Sequence, residues 1–222
     1  MPKQDRAIRT RRVIVEAAAG VFEERGFQAA TIAEILARGQ VTKGALYFHF
    51  ASKEALARGL LEEQLPDGLP LLPRSIKLQE VIDLIASQTY RLRTDPVVRA
   101  AVRLSLDEGA MGGRRGDAFT GWSGQLARSM EEAAGRGELL PHVVPGESAD
   151  VLVGAFAGIQ SMSQALSNYA DLAERMEALT RHLMPAIALP SVLASLDFDL
   201  DRIARAALEQ EPADDGEEVA AG

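Results

Sequence analysis

A chain of 222 residues that is 47% hydrophobic is long enough to bury one or two cores. It has no cysteine, which excludes disulfides and thiolate metal sites and points to a reducing, cytoplasmic setting. A net charge of −8 weighs against nucleic acid as a partner, but the charge is uneven: residues 1–55 carry nine Lys/Arg against six Asp/Glu, the remainder fifteen against twenty-six. A mildly basic head on an acidic body suits a DNA reader joined to a separate sensor, although an imbalance this small also arises by chance.

The N-terminus, MPKQDRAIRTRR, is basic without an apolar segment, so no signal peptide is expected. A first helix is predicted over about 7–25, with Ile14, Ala17, Ala18, Val21 and Phe22 on one face and Gly26 ending it. Thr31-Ile-Ala-Glu34 then has the spacing of a capping box, with Ile32, Ile35 and Leu36 on one face of a short helix. After a turn at 38–41, Thr42 can cap a second short helix in the stretch TKGALYFHF, residues 42–50. Lys43 and Gly44 at its tip suit close approach to a phosphate backbone and base edges. Ala45, Leu46, Phe48 and Phe50 read as its buried side. The pair is a helix-turn-helix or, on spacing alone, an ordinary αα-corner. Ser52 caps a fourth helix from 53 to 64, stopped by Pro66.

The Pro/Gly/Leu-rich segment Pro66–Pro73 reads as a linker. Helices follow at about 76–94, 96–109, 117–136, 147–168, 171–187 and 190–209, broken by Pro and Gly clusters. Strand signals are scarce, so the fold class is all-α. The expected division is a helix-turn-helix domain over 1–64, a ligand-binding and dimerisation domain over 65–209, and an acidic disordered tail over 210–222. The longest apolar run, Val151–Ile159, is far short of the ~20 residues that span a bilayer, so no membrane partner is expected.

Two late helices are candidates for a dimer seam. Residues 147–168 carry Gly154, Ala155 and Gly158 among apolar neighbours, and 171–187 carry Leu172, Met176, Leu179, Leu183 and Ile187 at helical spacing. Packing inside one chain explains the same pattern. Trp122, the single tryptophan, sits between Gly121 and Ser123-Gly124. It fits either a core residue or the wall of a cavity for a flat or cyclic ligand, offering an apolar face and one N–H donor. Uncharged polar residues on apolar helices, Gln64, Gln88, Gln125, Gln160, Ser161 and Gln164, together with Phe156, are the other candidate ligand contacts. Solvated surface glutamines explain each one equally. Few charges lie between Val151 and Tyr169, so a pocket there favours a neutral, mostly apolar ligand.

No catalytic residue, metal site or cofactor is expected. His49, His142 and His182 lack ligand spacing, and there is no GxSxG, Walker loop or GxGxxG. The chain does not read as an enzyme.

Residues 6–64 resemble the DNA-binding domain of the tetracycline-repressor (TetR) family. The likeness rests on Arg9-Thr10-Arg11, Ala17-Ala18, Phe22, Gly26-Phe27, Thr31–Ile35, TKGALYFHF and Ser52–Leu56. It implies that Arg6, Arg9, Arg11, Thr31, Thr42, Lys43, Gly44, Tyr47, His49 and Lys53 contact operator DNA, bound as a homodimer on a pseudo-palindrome. The family usually has glycine where this chain has Gln40. Either the turn slides to Gly39, or Gln40 is strained by roughly 1 kcal/mol. Over almost the whole chain, DRAIRTRRVI, VRLSLDEGA, GELLPHVV, AFAGIQSMSQ and PAIALPSVLASLD resemble the γ-butyrolactone autoregulator receptors of actinobacteria. That likeness implies a repressor of antibiotic and autoregulator genes, with Trp122 walling the cavity and a small neutral lactone as ligand. A butenolide, furan, antibiotic or other drug-like ligand is the alternative.

Overall fold

The computed structural model describes residues 3–64, 73–106 and 116–210. Among them every regular element is helical, with one isolated bridge between Leu139 and Ala188. The predicted linker at 66–73 lies almost wholly outside the described residues, and the predicted tail lies outside them apart from Gln210. Four helices come first: α1 (Lys3–Ala29), α2 (Ile32–Gly39), α3 (Lys43–His49) and α4 (Lys53–Gln64). They are followed by α5 (Lys77–Thr94), α6 (Pro96–Leu106), α7 (Asp117–Gly135), α8 (Pro145–Ser167) and α9 (Leu172–Leu183). A 3-10 turn (Met184–Ala186), α10 (Pro190–Leu193) and α11 (Asp201–Gln210) complete the described chain.

The helical path of α1 breaks at Gly26, which takes φ 76 and ψ 170. Only glycine enters that region without strain. The face read from the sequence is buried: Ile14, Ala17, Ala18, Val21 and Phe22 pack with Ile35, Leu46, Phe50, Leu56, Ala57 and Leu60. This N-terminal core is completed from outside residues 1–64 by Ala100, Ala101 and Leu104 of α6.

The second core surrounds α5, which is buried on nearly every side. Leu126 and Met130 of α7, Leu152 and Phe156 of α8, and Leu172 and Met176 of α9 close over it. A buried helix start needs acceptors for its orphan N–H groups. Glu138 supplies them, its two carboxylate oxygens accepting from the Lys77 and Leu78 amides, each at 2.9 Å. Val98 of α6 belongs to this core, so α6 takes part in both.

The single helix predicted over 190–209 is in fact two, α10 and α11, separated by residues 194–200. Asp197 and Asp199 account for the break. Their carboxylates accept from the amides two residues on, Asp199 at 2.9 Å and Asp201 at 3.0 Å, a local bond that competes with the helix.

Candidate nucleic-acid interface and ligand site

Thr31 and Glu34 form the full capping box at the start of α2: the Glu34 amide donates to Thr31 Oγ1 at 3.2 Å, and Thr31 N–H donates to Glu34 Oε2 at 3.0 Å. The Thr31 hydroxyl also donates to that oxygen at 2.8 Å. These bonds hold the Glu34 carboxyl below its ordinary range. The hydroxyl proton of Thr31 is therefore engaged within the box.

Gln40 settles the turn. It adopts φ 49 and ψ 38, the left-handed conformation, so the turn does not slide to Gly39. Gly39 answers a different need, because a Cβ there would stand 3.0 Å from Ala17 Cβ, a contact that α2 and α1 could take only by moving apart a few tenths of an ångström.

Thr42 caps α3, accepting from the Ala45 amide at 3.1 Å. Leu46 and Phe50 anchor the helix from below, both buried. Lys43, Gly44, Tyr47 and Phe48 are exposed and, at i, i+1, i+4 and i+5, share one face. A Cβ at Gly44 would meet nothing within 4 Å among the described residues, so the helix is uncrowded at that point. Phe48 corrects the sequence expectation. It was placed among the packing residues, yet it is 80% exposed, because the helical period carries it to the side opposite Leu46. His49 is half-buried and meets the Phe48 ring edge-on at 5.0 Å.

Lys53, expected at the DNA, has its ammonium turned onto the end of α1. Its ammonium donates to the carbonyls of Phe27 at 2.8 Å and Ala30 at 2.9 Å and sits 4.5 Å from the Phe27 ring centroid. α1 ends at Ala29, where the last carbonyls of a helix have no amide one turn on, and Lys53 caps two of those beside that end. Arg6 and Arg9 are exposed on the first turns of α1, while the Arg11 guanidinium lies 5.0 Å from the Phe50 ring centroid.

In the larger core, Trp122 meets Phe156 edge-to-face, with centroids 4.6 Å apart and planes at 81°. Its Nε1 is buried without a hydrogen-bond partner among the described residues. A buried donor left unpaired costs about 1–3 kcal/mol, so this atom marks where a ligand acceptor gains most. Gln160, one turn beyond Phe156, bonds to the Tyr169 side chain, and burial pushes the Tyr169 hydroxyl pKa up. Gln88, Gln125, Phe156 and Gln160 are all buried.

Ser161 and Gln164 do not join them. Ser161 is exposed, its hydroxyl returned to the Ala157 carbonyl at 2.9 Å, and Gln164 projects into solvent from the last turn of α8. Ser161 lies a quarter-turn round from Gln160, and beyond it the core covers only Ser163. The side chain of Gln64 lies outside the described residues.

A groove of about 550 Å³ between α7 and α8 is lined by Phe119, Ser123, Asp150 and Val153, among others, and Trp122 is not part of its lining. The outer face of α8 exposes Val151, Met162 and Leu166, with Gly154 and Gly158 between them. Beyond its own helix backbone, neither glycine would bring a Cβ within 4 Å of another described residue.

The two short helices and their caps could be read from local spacing, and the family resemblance made them a helix-turn-helix. The Gln160–Tyr169 bond and the exposure of Phe48 were missed. For Phe48 the signal was present, because it lies one helical turn after Gly44 on the same face.

The model of the tetR family of bacterial regulatory proteins matches residues 14–60. The chain is 42% identical over 198 residues to the A-factor receptor protein of Streptomyces griseus, covering 88% of this chain and 70% of that protein. Among solved structures, full-length TylP, a tetR regulator from Streptomyces fradiae, has a TM-score of 0.80 and 44% identity, covering 92% of this chain and 98% of that one. CprB from Streptomyces coelicolor, in complex with its biological operator sequence, has a TM-score of 0.73 at 28% identity, covering 93% and 99%. A gamma-butyrolactone receptor (ArpA-like protein) has a TM-score of 0.67 at 26% identity, covering 90% and 98%. With its helix-turn-helix matched by the family model and most of its length akin to known members, this chain belongs to the tetR family of bacterial regulatory proteins.

Proposed function

We propose that this protein is a ligand-released repressor that binds a pseudo-palindromic operator as a homodimer and controls secondary-metabolite genes. Its release signal is a neutral γ-butyrolactone-type molecule. The observation that carries the ligand reading is Trp122: an indole N–H buried without a partner, beside Phe156, in a core lined by uncharged glutamines. A lactone carbonyl is the acceptor that this donor lacks, and an acyl chain suits the apolar surroundings. The names of the A-factor receptor and of the gamma-butyrolactone receptor support the same ligand class.

Residues 1–64 act as the DNA-binding unit. Lys43, Gly44 and Tyr47 meet the major groove and its flanking phosphates, with Thr42 and His49 at the two ends of α3. Arg6, Arg9 and Arg11 hold the backbone from α1. Residues 65–209 bind ligand and pair with a second copy. The exposed apolar face of α8 supports that pairing, because Gly154 and Gly158 leave open the space that a partner helix needs. The resemblance adds α9 to the seam.

Release is a population shift between two spacings of the reading helices. Moving occupancy from 99:1 to 1:99 takes about 5.5 kcal/mol of differential affinity. An acyl chain burying several methylenes at ~0.8 kcal/mol each supplies that much if the DNA-bound form lacks the full cavity.

A gel shift on a site selected from random duplexes tests this reading. Binding should fall steeply with salt, and a γ-butyrolactone should release the wild type at far lower concentration than Trp122→Phe, which keeps the ring but loses the donor. Release of both at equal concentration would remove Trp122 from the ligand site. A second reading rests on Asp150, the carboxylate in the α7–α8 groove, bonded to Ser123 at 2.5 Å. It favours a cationic drug-like ligand, and release by such a compound that Asp150→Asn abolishes would select it.

A further inference from the structure

Two aromatic rings stand exposed on α3, and they are not equivalent. Tyr47 is 44% exposed and carries a hydroxyl able to bond a phosphate oxygen. Phe48 is 80% exposed and has no polar atom. A phenyl ring left in water is costly unless something covers it. Among the described residues that ring meets the His49 ring edge-on, at 5.0 Å between centroids, a contact that leaves it 80% exposed.

The neighbours define what can cover Phe48. It shares a face with Lys43, Gly44 and Tyr47, and the uncrowded Gly44 one turn earlier lets the helix sink toward the base edges. The face is poor in side chains that make bidentate base contacts. Lys43 is its one cation, and its Nζ lies 5.9 Å from the Tyr47 ring centroid. Sequence preference must then draw on something other than hydrogen bonds. The one apolar mark that distinguishes base pairs in the major groove is the C5-methyl group of thymine.

We infer that Phe48 is a specificity-determining residue, its ring packing on the C5-methyl group of one thymine in each half-site. This rests on α3 being the DNA-reading helix. The outward position of the side chain means that Phe48→Ala removes no core contact, so the variant folds.

The test uses the full chain and a duplex selected by the wild type from a random library. Each thymine of the half-site is replaced in turn by deoxyuracil, which pairs identically and lacks only the methyl. At one position the wild type should lose about fourfold in affinity per half-site, the worth of one methyl group removed from water. Phe48→Ala should bind thymine and deoxyuracil equally there, while keeping any difference at other positions. Placing 5-methylcytosine opposite guanine at that position should retain more affinity than cytosine for the wild type alone. A wild type indifferent to every thymine replacement, as packing on a sugar would give, overturns the role of Phe48 while leaving α3 a DNA reader. The same holds if Phe48→Ala keeps the wild-type loss at every position. A wild type that selects no site and shifts no duplex overturns both readings.

Discussion

Gln40 holds a left-handed turn with a side chain that gains nothing from it. It is exposed, and its φ of 49 belongs to the region that costs a residue with a Cβ roughly 1 kcal/mol. Gln40→Gly should raise unfolding stability by about 0.5–1 kcal/mol, read as an upward shift in urea midpoint with unchanged slope. A loss of stability would mean that the Gln40 side chain makes an unrecognised contact. Legibility at this scale followed distance along the chain. Thr31 and Glu34 are three residues apart, so their capping box could be read from the sequence. Lys53 finds its carbonyl partners 23 and 26 residues earlier, and no local pattern announces that. Phe48 was misread for another reason: an apolar side chain was equated with a buried one, although its place on the helix said otherwise.

At the scale of elements, the corner between α8 and α9 turns on Asp171. Its carboxylate accepts from the Ser163 and Ser167 hydroxyls, both at 2.6 Å, and from Arg175 Nε at 2.7 Å. Those bonds, the serines foremost, bring its pKa from 3.8 down to about 2. A carboxyl whose pKa is lowered on folding stabilises the native state above its unfolded pKa and loses that effect as it protonates. The contribution is therefore whole above about pH 4 and disappears as pH falls through about 2. The gap in urea midpoint between wild type and Asp171→Asn should stay constant from pH 7 to pH 4 and narrow below. A gap that persists unchanged at pH 2 would assign the stabilisation to something other than the charge. Most element boundaries could be read from Pro and Gly punctuation. The split between α10 and α11 could not, because the competing bonds of Asp197 and Asp199 form within a run whose apolar spacing is also helical.

Across the whole molecule, α6 is the member common to both cores, and polar contacts continue the link. Arg99 on α6 pairs with Glu23 of α1, and Arg103 donates to the Glu23 carbonyl. The Arg99 guanidinium also lies 5.8 Å from the ring centroid of Tyr169, which bonds to Gln160 on α8, one turn from the Phe156 that meets Trp122 edge-to-face. Under the proposed release, a ligand-driven shift of α8 would reach α6 through Tyr169 and α1 through the Arg99–Glu23 pair. Arg99→Ala should leave ligand affinity intact but cost about 1 kcal/mol of coupling, so that release of DNA needs roughly fivefold more ligand. Unchanged release would move the coupling to the apolar contacts of Ala100, Ala101 and Leu104. The sequence carried the two ends of this route, the helix-turn-helix and Trp122. The middle was not legible, since Glu23, Arg99 and Tyr169 meet only once the chain has folded.

The central claim is that one event, a ligand acceptor paired with the buried indole N–H of Trp122, frees the operator. Because Trp122 is the single tryptophan, its fluorescence reports that site directly. The decisive measurement titrates a γ-butyrolactone into the protein–operator complex while following Trp122 emission and DNA release in the same sample. The account predicts quenching and release with coincident midpoints. Release without any change at Trp122, or quenching that leaves the operator bound, would contradict it.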